Sequence, residues 1–175
     1  MMRNRVIEKA RTHLGYVEGP NNGTIFGSWY GLPNQPWCAM FVSYVMNEAG
    51  VSTDIVPKFA SCTAGVEWFK ERNLFRDKNY TPKKADIVFI DWDYGKGNGV
   101  DHVGIVESVD GDVVHTIEGN HSDKVERYTY RVGSNLIYGY GVPEYISSDE
   151  NNEEEQTTNV ERKNRWNSIL IKFKI

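Results

Sequence analysis

Cysteine is scarce: the 175 residues hold only two, Cys38 and Cys62. At most one disulfide can form, which excludes a disulfide-stapled scaffold. Basic charge is not in excess. Twenty Lys and Arg stand against 24 Asp and Glu, for a net charge of −4. That balance lacks the electrostatic footprint of a nucleic-acid binder. No apolar run is long enough to span a bilayer, so no membrane insertion is expected. The opening MMRNRVIEKARTHLGY has no apolar core of signal-peptide length. Synthesis in the cytoplasm without a secretory signal is therefore expected. A protein of this kind acting outside the membrane needs another route, or is a module of a larger exported protein. There is no internal repeat, and nothing in the sequence bears on oligomeric state.

What is present is a folded composition: 39% hydrophobic, 13% aromatic and 16 glycines, unlike a disordered chain. Val6, Ile7, Ala10 and Leu14 follow helical spacing, with Gly15 as the exit. Residues 15–35 are rich in Gly, Asn and Pro and predict a long structured loop. A second helix is predicted over 36–49, with Pro36 at its first position and Gly50 past its end. A third fits 63–72. After Pro82 the texture becomes β-branched and aromatic: 87–90, 103–109, 113–117, 126–132 and 136–142, separated by Gly, Asn and Asp. Helices followed by a run of antiparallel strands define an α+β domain over 1–146. Residues 147–159, SSDENNEEEQTTN, predict an acidic solvated linker. Residues 160–175 form a short basic and apolar tail, whose charges suit either a solvated face or contact with anionic polymers.

In NQPWCAMFVSYV, Cys38 falls in the first turn of the second predicted helix. Free backbone N–H groups and the helix dipole there favour an anion. Such a position lowers a thiol pKa from its usual value of about 8.5. A thiolate is a nucleophile, although a buried cysteine is also an ordinary core residue. Cys62, in FASCTAG, reads as structural. A nucleophilic cysteine needs a base. Of the four histidines, His13 is expected to be exposed on the first helix. His102 opens a strand in DHVGIVESVDGDVVHTIEGN. If this hairpin turns on Val109-Asp110-Gly111, Ser108 pairs with Asp112 and His102 lies directly across from Glu118. Asn120 then shares their face, and His115 points the other way. A two-residue Asp-Gly turn would instead put His102 and Glu118 on opposite faces. A carboxylate beside an imidazole sets its tautomer and supports its protonated form. His121 lies close enough in sequence to compete with His102.

Three blocks in order, QPWCAMFV, DHVGIV and IEGN, resemble the CHAP domains, the cysteine, histidine-dependent amidohydrolases/peptidases of the papain-like superfamily. The resemblance covers nearly everything before the acidic stretch. It implies a papain-like fold, with N-terminal helices packed on a C-terminal antiparallel sheet. It also implies hydrolysis of peptidoglycan amide bonds, either between muramic acid and L-alanine or within stem and cross-bridge peptides. Matched by motif, Cys38 is the nucleophile, His102 the base, Glu118 the orienting residue and Asn120 the accompanying polar residue. Gln35 is the candidate second oxyanion donor, beside the Cys38 backbone N–H.

Trp29, Tyr30, Trp37, Trp92 and Tyr94 are candidate groove aromatics, and packing explains them equally well. The stretch EGPNNGTIFGSWYG lacks the paired aspartates with which some relatives bind calcium. DWDYGKGNGVD offers Asp91, Asp93, Asn98 and Asp101 as hard oxygen ligands, but Gly95 and Lys96 break an EF-hand pattern. A polar loop is the preferred reading there, and no cofactor is expected to be required. The expected function is peptidoglycan hydrolysis, in a phage lysin or an excised lytic module. The alternatives are a cysteine amidase or acyltransferase on a soluble peptide conjugate, and a non-catalytic wall-binding or phage structural module.

Overall fold

A computed structural model describes residues 1–93, 96 and 99–145. The expected linker 147–159, the tail 160–175, Tyr94 and Asn98 lie outside the described residues. One compact unit, Met2–Glu144, holds all the elements. Four helices come first: α1 (Met2–Thr12), α2 (Ile25–Tyr30), α3 (Cys38–Glu48) and α4 (Cys62–Glu71). Six strands follow: β1 (Phe75–Arg76), β2 (Ile87–Ile90), β3 (His102–Asp110), β4 (Val113–His121), β5 (Lys124–Arg131) and β6 (Ile137–Gly141). They form one antiparallel sheet in the order β1-β6-β2-β3-β4-β5. This is the expected α+β architecture. Among the described residues, no helix is long and apolar enough to cross a membrane.

The helices follow from their apolar spacing and their caps. In α1, Val6, Ile7 and Ala10 are buried, while Leu14 falls beyond the helix end. Residues 15–35 are not one loop, because α2 sits inside them. The Thr24 side chain accepts from the Gly27 N–H, and Gly31 closes the helix at φ +93°. Six residues are too few to display a helical period, and only the cap and the glycine mark it. Helix α3 begins at Cys38, with Trp37 at the cap in a non-helical conformation, so Pro36 is not its first residue. The cause is the indole of Trp37. It is fully buried, stacked on Phe26 with ring centroids 5.2 Å apart, and donates Nε1–H to Glu18 at 2.7 Å. Eight of the eleven residues of α3 are buried, which makes it the central helix of the core, open to solvent only toward its C-terminal end. Gly119 lets it approach β4 closely. A Cβ there would stand 2.5 Å from Phe41 Cβ and 2.7 Å from the Trp37 ring.

The sheet is buried on both sides at its centre, and all four residues of β2 are buried. Phe89 meets α4 beside Gly65. The alternate residues Val88 and Ile90 join Val106, Val114, Tyr130, Ile137 and Tyr140 in an apolar cluster on the other face.

The β3–β4 hairpin differs from the expected one. Asp110 pairs with Val113, so the loop is Gly111-Asp112. Gly111 takes φ +60° at the first loop position, where glycine serves type II′ turns. The register then shifts between Val106 and Ser108, leaving Glu107 as an extra residue. Beyond that bulge Gly104 pairs with Glu118. Without the bulge, His102 and Glu118 would lie on opposite faces. The bulge is anchored by its own side chain. Glu107 is 5% exposed and accepts from Arg11 Nε at 2.6 Å and Arg127 Nε at 2.7 Å.

Candidate active site

Two helix N-termini and one strand end converge on the site. Cys38 is the first residue of α3 and Cys62 the first of α4. His102 is the first residue of β3. His102 pairs with Ile90 and Gly104 with Val88. The histidine therefore sits at the polar end of the face that carries the apolar cluster.

His102 is 2% exposed and Glu118 fully buried. The imidazole Nε2 lies 3.0 Å from Glu118 Oε2, which leaves Nδ1 for the thiol of Cys38. Glu118 also accepts from Thr116 Oγ1 at 2.5 Å and from Tyr130 Oη at 3.3 Å. Burial and the adjacent Glu118 push the Tyr130 phenol up, so it stays a donor. Glu118 lies across from Gly104, not from His102, and reaches the histidine diagonally. Gly104 makes room for this: a Cβ there would stand 2.6 Å from Glu118 Cγ.

The Cys38 thiol is held well below its ordinary range. The hydrogen bond from Cys62 is the largest influence. Burial opposes it, and the hydrogen bond and charge of His102 and the Ala39 N–H add to it. For His102 burial is the largest influence and works downward. The hydrogen bonds and charges of Cys38 and Glu118 outweigh it and push the imidazole up to about 9. Opposite shifts on these two interacting groups favour the thiolate–imidazolium form of the pair. The Cys62 thiol moves the other way, raised by its hydrogen bond to Cys38, by burial and by the charges of Cys38 and Asp101.

The remaining sequence candidates divide. Trp92 is 44% exposed and stacks on His102, with ring centroids 4.7 Å apart and planes 23° apart. Trp37 cannot line a groove, because it is fully buried among Phe26 and Tyr16. Trp29 and Tyr30 are half-buried on α2. Their contacts run to Tyr44 and Lys58, not to Cys38 or His102. Gln35 is exposed in the bend before α3. Asn120 sits where the β4–β5 register shifts, at φ +60°. The alternation that was to align it with Glu118 is broken there. His121 pairs with Glu126 through Nδ1 at 2.9 Å, and its ring lies 5.9 Å from that of His102. His13 is not exposed: it is half-buried, 2.7 Å from Glu48, with its ring against Phe26 and Tyr44.

Asp91, Asp93 and Asp101 offer carboxylate oxygens within 4.8 Å of one another. Each already serves the loop. Asp101 accepts from the Trp92 N–H at 2.8 Å, Asp91 from the Asp93 N–H at 3.1 Å, and Asp93 from the Lys96 N–H at 3.1 Å.

Sequence reasoning missed Cys62, Gly104, Thr116 and Tyr130. Cys62 carried a legible signal, since Ser61 ahead of it is a capping residue and gives it the same helix-start position as Cys38.

The sequence profile of the CHAP domain matches residues 29–120. This chain belongs to the CHAP-domain family. That family and fold support a cysteine-type amidohydrolase or peptidase. Its fold is similar to the crystal structure of Ly7917, at TM-score 0.52 and 19% identity, over 81% of this chain and 62% of Ly7917. Ly7917 with the hydrolyzing product of MDP superposes at TM-score 0.51, with 19% identity and the same coverage. An NlpC/P60 family protein from Bacillus cereus ATCC 10987 gives TM-score 0.48 and 16% identity, over 79% of this chain and 39% of that one. The chain thus spans 62% of the length of Ly7917. No curated protein matches it by sequence.

Proposed function

We propose that this CHAP domain hydrolyses amide bonds of bacterial peptidoglycan, with Cys38 as nucleophile, His102 as acid and base, and Glu118 as the group that orients His102. The observation that carries the reading is the buried His102–Glu118 pair, whose carboxylate accepts from three donors, beside a Cys38 thiol that His102 helps to hold below its ordinary range. Family membership narrows the bond type to an amide. The Ly7917 complex with the hydrolyzing product of MDP supports a muramyl peptide as the substrate class.

The Cys38 thiolate attacks the amide carbonyl. The oxyanion that forms is held by the backbone N–H of Cys38, which has no acceptor within the helix at its first position, and by the Gln35 side chain as second donor. Losing one such donor typically raises a barrier by about 3–4 kcal/mol. The His102 imidazolium protonates the leaving amine. It then accepts a proton from the water that opens the thioester, and the cycle closes. Glu118 keeps Nε2–H pointed at itself, so Nδ1 faces the reaction. Asn120 is the polar residue accompanying the pair, and Trp92 presents its exposed ring to the substrate beside His102. No step calls on a cofactor.

The setting is a lytic enzyme made in the cytoplasm and released to the wall through a membrane lesion, as in a phage lysin, or the lytic module of a larger exported protein. The bond cleaved is an N-acetylmuramoyl-L-alanine amide or a stem or cross-bridge peptide bond. Purified peptidoglycan digested with wild type and with Cys38→Ser, followed by mass spectrometry of the fragments, tests this. Intact stem peptides with a free L-alanine amine identify an amidase, and cuts inside the stem or bridge an endopeptidase. Equal release by the Cys38→Ser protein would remove Cys38 as nucleophile.

A further inference from the structure

The thiols of Cys38 and Cys62 lie 3.7 Å apart, and they are the only two in the chain. They come from the first residues of two different helices. A disulfide needs the sulfurs at about 2.05 Å, so they stand less than 2 Å from bonding distance.

We propose that Cys38 and Cys62 form a reversible oxidation site, in which Cys62 traps peroxide-oxidised Cys38 as an intramolecular disulfide. The first step is attack of the Cys38 thiolate on one oxygen of a peroxide. An S–O bond forms and the O–O bond breaks. Cys38 becomes a sulfenic acid, and the departing hydroxide takes a proton to leave as water. In the second step the Cys62 sulfur attacks the Cys38 sulfur. The S–S bond forms, the S–O bond breaks, and water leaves with the Cys62 proton. Two thiols give two electrons and one peroxide becomes two waters, so the sequence balances.

The two cysteines are unequal in the way such a pair requires. Cys38 is the lowered, thiolate-forming member, and oxidation follows thiolate character. Cys62 stays protonated beside it, raised chiefly by the hydrogen bond to Cys38. When Cys38 becomes a neutral sulfenic acid, that restraint and the charge of the Cys38 thiolate disappear together. Burial and the Asp101 charge still act on the Cys62 thiol, but its largest restraint is gone when it is needed to attack. Cys62 is partly exposed, so a small reductant can reach the bridge. The consequence for activity rests on the proposed role of Cys38, because the bridge occupies the nucleophile. The thiol chemistry itself does not rest on it.

The test treats wild type, Cys62→Ser and Cys62→Ala with hydrogen peroxide. It counts free thiols, measures intact mass, and repeats both after dithiothreitol. Wild type is expected to lose both thiols as a monomer, to lose two hydrogens in mass, and to regain both thiols on reduction. The Cys62 variants are expected to gain two or three oxygens on Cys38 that dithiothreitol does not remove. Oxygen accumulation on Cys38 of the wild type with Cys62 still free would overturn the proposal, as would disulfide-linked dimers. So would equal recovery of the thiol in the Cys62 variants. Parallel digestion of peptidoglycan separates the two readings. A reversible disulfide with no wall activity before oxidation sinks the proposed function and leaves the oxidation site standing.

Discussion

Glu118 faces Gly104 across the β3–β4 ladder and leans over it to meet His102. The glycine is what lets a diagonal pair close to 3.0 Å, because a Cβ at 104 would occupy the space of Glu118 Cγ. Gly104→Ala is therefore expected to keep the fold and lower kcat by roughly 10- to 100-fold, the scale that follows a misplacement of about 1 Å at a reacting group. Steady-state kinetics beside circular dichroism check this. Wild-type kcat in the alanine variant would show that Glu118 can shift without consequence.

Glu118→Gln removes the carboxylate but keeps the shape. The rate should fall by roughly 10²-fold or more. The pH profile moves as well. His102 stands near 9 through Cys38 and Glu118 acting against burial, so wild-type activity should persist to about pH 9 and decline above it as the imidazolium loses its proton. Without the carboxylate the imidazole pKa falls, and the alkaline limb should move to lower pH. An unmoved limb would detach Glu118 from His102.

The Cys62 S–H is the largest of the groups holding the Cys38 thiolate. In Cys62→Ala, alkylation of the remaining thiol by iodoacetamide should need a higher pH than alkylation of Cys38 in wild type. The pH dependence of the alkylation rate measures this directly, and an unchanged curve would assign the low pKa to His102 and the helix start alone.

Glu107→Gln tests the anchor of the bulge. A buried acceptor of two arginine donors should cost about 1–3 kcal/mol when its charge is lost, with a Tm lower by several degrees. Burial pulls the Glu107 carboxyl up, but the hydrogen bonds of Arg127 and Arg11 outweigh it and hold the pKa below its ordinary value. The stabilisation is therefore fully present above the unfolded pKa and is lost as pH falls through the lower, folded one. The Tm difference between wild type and variant should shrink in acid.

Chelation with EDTA is expected to leave the initial rate on peptidoglycan within about twofold, since general acid–base and nucleophilic steps need no metal. A large loss restored by calcium would assign the carboxylates of Asp91, Asp93 and Asp101 a role in holding the loop beside Trp92.

The longer helices and strands were legible because periodicity and caps are local, while the short α2 and β1 were not. β2 matches the apolar run at 87–90 residue for residue, and Cys38 stands in the first turn whether or not Pro36 precedes it. The expected direct pairing of His102 with Glu118 is not made; the two meet diagonally on a shared face, through a different turn and a different register. The actual loop has two residues, and one extra residue in β3 restores the shared face. Alternation cannot foresee a slip in the ladder. The same limit explains Asn120, whose left-handed backbone at a register shift leaves the alternation. The sequence leaves Trp37 open between groove and packing, because a tryptophan near a loop looks alike on either side of the surface. Its burial depends on Phe26 and Glu18, which belong to other segments.

The sequence by itself determined the order of the three longer helices and of the strands from β2 to β6, the nucleophile's place at a helix start, and the three motif blocks. Each of these is written in neighbouring residues. Only the tertiary structure decided that Cys62 stands beside Cys38 from 24 residues away. It also decided that Thr116 and Tyr130 hold Glu118, and that an empty Cβ position at Gly104 opens the route from Glu118 to His102. Those contacts join distant segments, and their geometry is set by packing rather than by local preference.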